Sequence, residues 1–156
     1  MALTVHQIAL RLAKHIGVVS LDPADPSNLS PLHGPGLRQG DVEDLLACIN
    51  GALQELWETM PQRVRRERLG DAEAHPPRVT AEDLGAASDP GRTIPMVEGW
   101  EETILLPLAL YRLTAHPAFQ PLKAKEEIAR QARVARRLVK RSDRPLLPPV
   151  LVTLFR

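Results

Sequence analysis

Five histidines, a single cysteine and a scatter of carboxylates are the residues with which this 156-residue chain could hold a metal or move a proton. His6, His15, His33, His75 and His116 share no ligand spacing with one another or with Cys48, whereas zinc needs several convergent nitrogen or sulfur donors. Asp22, Asp25 and Asn28 lack the alternating ligands, central glycine and closing glutamate of a calcium loop. His33-Gly34-Pro35-Gly36 follows no strand signal and precedes no Lys-Ser/Thr pair, so it lacks the parts of a phosphate cradle. Glu98, Glu101 and Glu102 could pair as acid and base, but they crowd the predicted start of a helix, where its positive dipole end accounts for them. No nucleophile elbow, kinase signature or zinc-protease motif occurs. The expectation is a protein that is not an enzyme, with no cofactor and no metal.

What remains is charge. The chain carries only +1 overall, yet between residues 121 and 144 nine basic residues face three acidic ones. That segment therefore bears +6, and the rest of the chain −5. Lys123, Arg130, Arg133, Arg136, Arg137, Lys140 and Arg141 are the candidate contacts to a partner protein or to DNA. Arg63, Arg65, Arg66 and Arg68 form a second cluster, but Glu67, Asp71 and Glu73 interleave with it and make a solvated face the simpler reading.

The elements that must position these charges are helices. Val42, Leu45, Leu46, Ile49, Leu53, Leu56, Trp57 and Met60 fall on one stripe about 120° wide, which predicts an amphipathic helix over 41–60 capped by Asp41. Cys48 lies off that stripe, and one cysteine cannot form an internal disulfide. A first helix is predicted over 4–17, with Thr4 as its cap and Gly17 as its exit. A third, over 98–116, is apolar nearly all round, with Pro107 expected to kink it near Thr103. A fourth begins with Pro121 and runs to 141, with Ile128, Ala132, Ala135 and Val139 on one side and the cations opposite. Aromatics make up 3% of the chain, so the core must rest on aliphatic side chains around a few large ones. The expected core is Leu45, Leu46, Ile49, Leu53, Leu56, Trp57, Trp100, Ile104, Leu108 and Tyr111.

The fifteen prolines cluster between these periodic segments. Residues 20–40 read as a long Pro-rich loop, and 78–97 as a small irregular β-hairpin around Asp89-Pro90-Gly91. After Pro145, Pro148 and Pro149 the helix cannot continue, and Val150, Leu151, Val152, Leu154 and Phe155 read as an extended docking tail. The predicted organisation is a mainly α single domain over 1–144, a bundle of about four helices, followed by a tail over 145–156. The longest apolar run, 104–111, contains Pro107 and is far too short to span a bilayer, so no membrane partner is expected. No secretory leader is legible at the start, because Arg11, Lys14 and His15 interrupt any apolar run.

Two blocks resemble the head–tail connector (adaptor, or neck) proteins of tailed bacteriophages. One is Ile49-Asn50-Gly51-Ala52-Leu53-Gln54-Glu55-Leu56-Trp57, ending at Met60-Pro61. The other runs from Gly99-Trp100-Glu101-Glu102 through Leu105-Leu106-Pro107-Leu108-Ala109 and Arg112-Leu113 to His116-Pro117-Ala118-Phe119. With the basic segment they cover about half the chain. The resemblance implies a structural virion protein, assembled in the host cytoplasm, that forms a homo-oligomeric ring, usually of twelve copies, beneath the portal protein. Such a ring extends the DNA channel, touches duplex DNA transiently during genome packaging and ejection, and receives the tail or a tail-terminator (stopper) protein. The Pro-rich stretch at 20–40 departs from the more compact members. Ring interfaces are head-to-tail, so each subunit needs two different complementary surfaces, and a basic segment on an acidic body supplies opposite signs.

A rival of a different class is a small helical DNA-binding regulator that inserts 121–141 into the major groove. The connector at 115–120 would have to act as the turn. Against it, the basic segment carries only Gln131 as an amide base reader and no asparagine.

Overall fold

The computed structural model describes residues 2–30, 34–69, 76–85, 91–122 and 124–142. The chain is mainly helical. Helix α1 spans Val5–Lys14 and is opened by a reciprocal cap: the Gln7 N–H donates to Thr4 Oγ1 at 3.2 Å, and the Thr4 N–H donates to Gln7 Oε1 at 3.0 Å. Val5, Ile8, Ala9, Leu12 and Ala13 are buried. At its end Gly17 takes φ +86°, a left-handed conformation that costs a glycine nothing, and the Val18 N–H reaches back to the Ala13 carbonyl.

The Pro-rich connector is more ordered than an open loop. Its centre is Asn28, fully buried, whose Oδ1 accepts from the Val19 and Ser20 N–H groups at 3.2 and 2.8 Å. Its Nδ2 donates to the Asp22 carbonyl at 2.8 Å. The strands β1 (Leu29–Ser30) and β2 (Gly34–Pro35) then pair antiparallel for two residues each. Leu21 and Leu37 anchor both ends in the core. Asn28 is thus a structural clamp: one side chain replaces the backbone pairing that the prolines deny this stretch.

Helix α2 covers Gln39–Thr59, starting two residues earlier than the stripe indicates. Asp41 does not stand at the cap but inside the first turn, where its carboxylate accepts the Arg38 N–H at 2.9 Å. Met60 ends α2, and α3 (Gln62–Leu69) follows, with the Arg65 guanidinium 5.7 Å from the centre of the Trp57 ring.

No hairpin forms among the described residues of 78–97. Residues 78–80 are held by Asn50, which donates to the Val79 carbonyl at 2.9 Å and accepts the Val79 N–H at 2.8 Å. A one-turn helix α4, Ala81–Leu84, comes next. Thr93 bridges Thr4 instead of residue 79, and the Val5 N–H donates to the Arg92 carbonyl at 2.9 Å. Each half of the expected hairpin thus spends its backbone groups on a helix or on that helix's cap.

The expected kinked helix over 98–116 is a π-helical segment, Glu101–Leu105, running directly into α5, Leu106–Ala115. The Leu106 N–H donates to the Glu101 carbonyl, five residues back. Pro107 has no N–H, and the turn leading into it widens to bonds spanning five residues. Helix α6 is Lys125–Lys140; Pro121 stands four residues outside it, and Ala124 occupies the cap position. Helix α5 packs against α1, α2 and α6, and α2 in turn against α1, α4 and α6, so these two helices form the middle of the bundle. The core contains Leu45, Leu46, Ile49, Leu53, Leu56, Ile104 and Leu108 as expected, joined by Ile128, Ala132, Ala135 and Val139 from α6, and Trp57 is buried as expected too. Two expected core residues differ. Trp100 is half-buried at the rim, and Tyr111 is 38% exposed because α5 turns that flank outward beside α6.

Candidate functional site

No group of three or more metal-competent side chains converges among the described residues. Polar chemistry instead concentrates in two places, both built on α6.

The first is the seam where α2, α5 and α6 meet. Asp44, Cys48, Gly51 and Glu55 recur at steps of four, three and four along one flank of α2, facing α5. At the top, Asp44 Oδ1 lies 3.7 Å from His116 Nε2, while His116 Nδ1 accepts the Ala118 N–H at 3.1 Å. Lower down, Arg112 crosses Gly51 so closely that an added Cβ would stand 3.0 Å from its side chain. Glu55 closes the seam: Oε1 accepts Arg136 Nε at 2.6 Å, and Oε2 lies 3.6 Å from Arg112. Glu55 Oε2 has no hydrogen bond of its own, so the longer Arg112 contact is electrostatic. The Arg136 guanidinium also sits 5.0 Å from the Tyr111 ring centre, which gives that exposed ring a cation to cover.

Cys48, off the apolar stripe of α2, lies on the flank that faces α5. It is buried, and burial pushes its thiol up to about 11; the Asp44 charge adds to the rise and Arg112 opposes it. An inert thiol, not a nucleophile, occupies this position. Asp44 and Glu55 of α2 each face a cationic or imidazole side chain beyond their own helix, so the seam is a spacer that sets α2, α5 and α6 relative to one another.

The second place is the outer arc of α6. Arg133, Arg137, Lys140 and Arg141 are exposed and make no ion pair among the described residues. Arg130 shares their side but is held bidentately by Glu127, at 3.0 and 2.6 Å, which raises its already high proton affinity. The seven predicted cations therefore divide. Arg136 turns into the seam, Arg130 is locally paired, four project freely, and Lys123 lies outside the described residues. Val150, Leu151, Val152, Leu154 and Phe155 of the predicted tail also lie outside them. Arg133 and Arg141 stand eight residues apart, so the free cations lie along about 12 Å at the C-terminal half of α6.

Two concavities flank these features. An open cleft of about 770 Å³ lies between α2 and residues 76–81, lined by Glu43, Ala47, Asn50 and Gln54 but by none of the free cations. A smaller groove of about 320 Å³ runs between α1, α5 and α6 over Leu106, Pro107 and Leu110.

Sequence reasoning missed Glu55, Arg112 and Arg136 as a positioning set. The signal was the regular polar line on α2, which resembles a solvated face until α5 is laid against it. No family model, curated protein or solved structure matches this chain.

Proposed function

We propose that the chain is a head–tail connector (adaptor) subunit of a tailed-phage particle. In this reading it forms a ring, of about twelve copies by the usual pattern of such proteins, below the portal. The ring extends the DNA channel and joins the head to the tail or its terminator. The observation that carries the proposal is where the two resembling blocks fall. Gly51 and Glu55 of the first block sit at the seam opposite Arg112 of the second, and the α6 cations project from the body this seam fixes. A protein that works by shape and charge needs a body of set geometry carrying surfaces of opposite sign, and no bond-making centre. The segment over 145–156 belongs to the same proposal, on its sequence, as a docking tail onto an adjacent component.

The exposed arc also supports one alternative, a DNA-binding regulator reading the major groove with α6. The link from α5 to α6 covers residues 116–124, more than the three or four residues of a helix–turn–helix turn, which weighs against it. Imaging of purified particles separates the two. A ring of this chain between portal and tail is the expected result. A specific, salt-sensitive gel shift by the isolated protein, with no copy in the particle, would replace the connector with the regulator.

A further inference from the structure

Among the described residues, three large apolar side chains stand in water around α6 and its approach: Leu122 at 69% exposure, Val134 at 44% and Leu138 at 48%. The Leu122 N–H donates to the His15 carbonyl at 2.7 Å, tying that approach to the end of α1. Gln131 lines the smaller groove, and Val134 and Leu138 follow it at three and seven residues on the same flank of α6. The apolar strip therefore prolongs the groove by two turns. Both rims carry a cation with no ion pair among the described residues, Lys14 on α1 and Arg137 and Arg141 beside the strip, and Arg11 stands next to Lys14. Glu102, the carboxylate among the groove's described lining residues, is already bound to Arg11 at 3.0 Å.

We infer that this groove is the docking site for an acidic amphipathic helix of another protein. Its apolar residues, spaced i, i+3, i+4, i+7, seat on the groove floor and on Val134 and Leu138, while its carboxylates meet the two cationic rims. Charge selects this occupant over the chain's own C-terminal segment. The run from 145 to 155 contains no carboxylate side chain and is bracketed by Arg144 and Arg156, so it would bring cations to cations. A second copy fits no better, because the exposed face of its α2 presents Glu43, Gln54 and Glu58 with only Ala47 as an apolar contact. The inference deepens the connector reading, in which the portal or a neck neighbour supplies the helix, and rests on that reading only for the partner's identity.

The test titrates the full chain with a labelled helical peptide of about 18 residues, leucine at the seating positions and glutamate elsewhere. Its comparators are the same peptide with lysine for glutamate, and a peptide of residues 145–156. Fluorescence anisotropy should show the glutamate peptide binding at least about tenfold more tightly than either comparator. Its binding should weaken as salt rises from about 50 to 500 mM. The Val134→Asp/Leu138→Asp double variant should lose about tenfold or more while its circular dichroism stays unchanged. Equal or weaker binding of the glutamate peptide, or an unaltered affinity in the double variant, overturns the inference. Tighter binding by peptide 145–156 would give the groove to the chain's own tail, and self-association abolished by the double variant would give it to a second copy; either result overturns it too. Failure of the connector reading registers separately, as the chain's absence from purified particles.

Discussion

The α2–α5–α6 seam and the outer arc of α6 are built from the same residue type and do opposite things. Arg112 and Arg136 point inward to one carboxylate, Glu55, whose side chain is only 19% exposed. Arg133, Arg137, Lys140 and Arg141 leave the same protein with no counter-charge among the described residues. A single step of about 100° around one helix separates Arg136 from Arg137, and that angle decides whether a guanidinium holds the fold or waits for a partner. The number of cations on a helix is therefore a poor guide to function. Which of them the protein has already neutralised is a better one.

The sharpest way to break this comparison is to destroy the body on which both regions depend. Leu53→Asp places an unpaired carboxylate at a position 1% exposed and should unfold the protein outright, a loss of about 4 kcal/mol or more. An unchanged thermal melt would remove α2 from the centre of the core.

Next in size is the seam's thiol. With its pKa raised from 9.0 to about 11, Cys48 carries about 100-fold less thiolate at pH 8 than an ordinary cysteine. Alkylation by iodoacetamide should be slower by at least that factor in the native protein and normal in denaturant. The sign of the linkage follows from the raised value. The thiol is neutral in both states below about pH 9, so it adds no pH dependence there, and it costs the fold stability as pH rises from 9 toward 11.

Glu55→Ala then leaves two guanidiniums facing each other with no carboxylate and should cost about 2 kcal/mol, read by urea denaturation. Glu55→Gln keeps one hydrogen-bond acceptor and should cost less. If the two variants cost the same, charge contributes little to the seam. The smallest effect on the fold is expected from reversing the arc. Arg133→Glu/Arg137→Glu/Lys140→Glu should move stability by no more than about 0.5 kcal/mol. The same triple variant should abolish incorporation into particles; normal incorporation would show that the free cations are mere solvation.

The sequence's legibility followed the arrangement of its apolar residues. Helix α1 was readable from Val5, Ile8 and Leu12 with Thr4 ahead of them, and α2 from a stripe of eight. The π-helical entry to α5 was not, because a proline removes one helical donor without fixing how the turn before it spaces its bonds. Tyr111 passed for core because the segment around it is apolar on all sides, although only three of its flanks are covered. The line Asp44, Cys48, Gly51, Glu55 looked solvated because polar residues on a helix flank carry no mark of the partner that will neutralise them. Of the candidate site, the cations were visible and their division was not. Arg136 and Arg137 are adjacent letters, and only the placement of Glu55 and Tyr111 tells them apart.

The clamp that Asn50 places on Val79 has a bearing on how this protein ages. Asn50 is followed by Gly51, the pairing most prone to lose its amide nitrogen through attack by the next backbone nitrogen on the side-chain carbonyl. Helical backbone around Gly51 and the two bonds to Val79 keep that nucleophile and that carbonyl apart. Detachment of residues 78–80 would start a chemical clock whose product, an aspartate, could no longer donate to Val79 and would repel its carbonyl, so a local opening would be recorded as a permanent one.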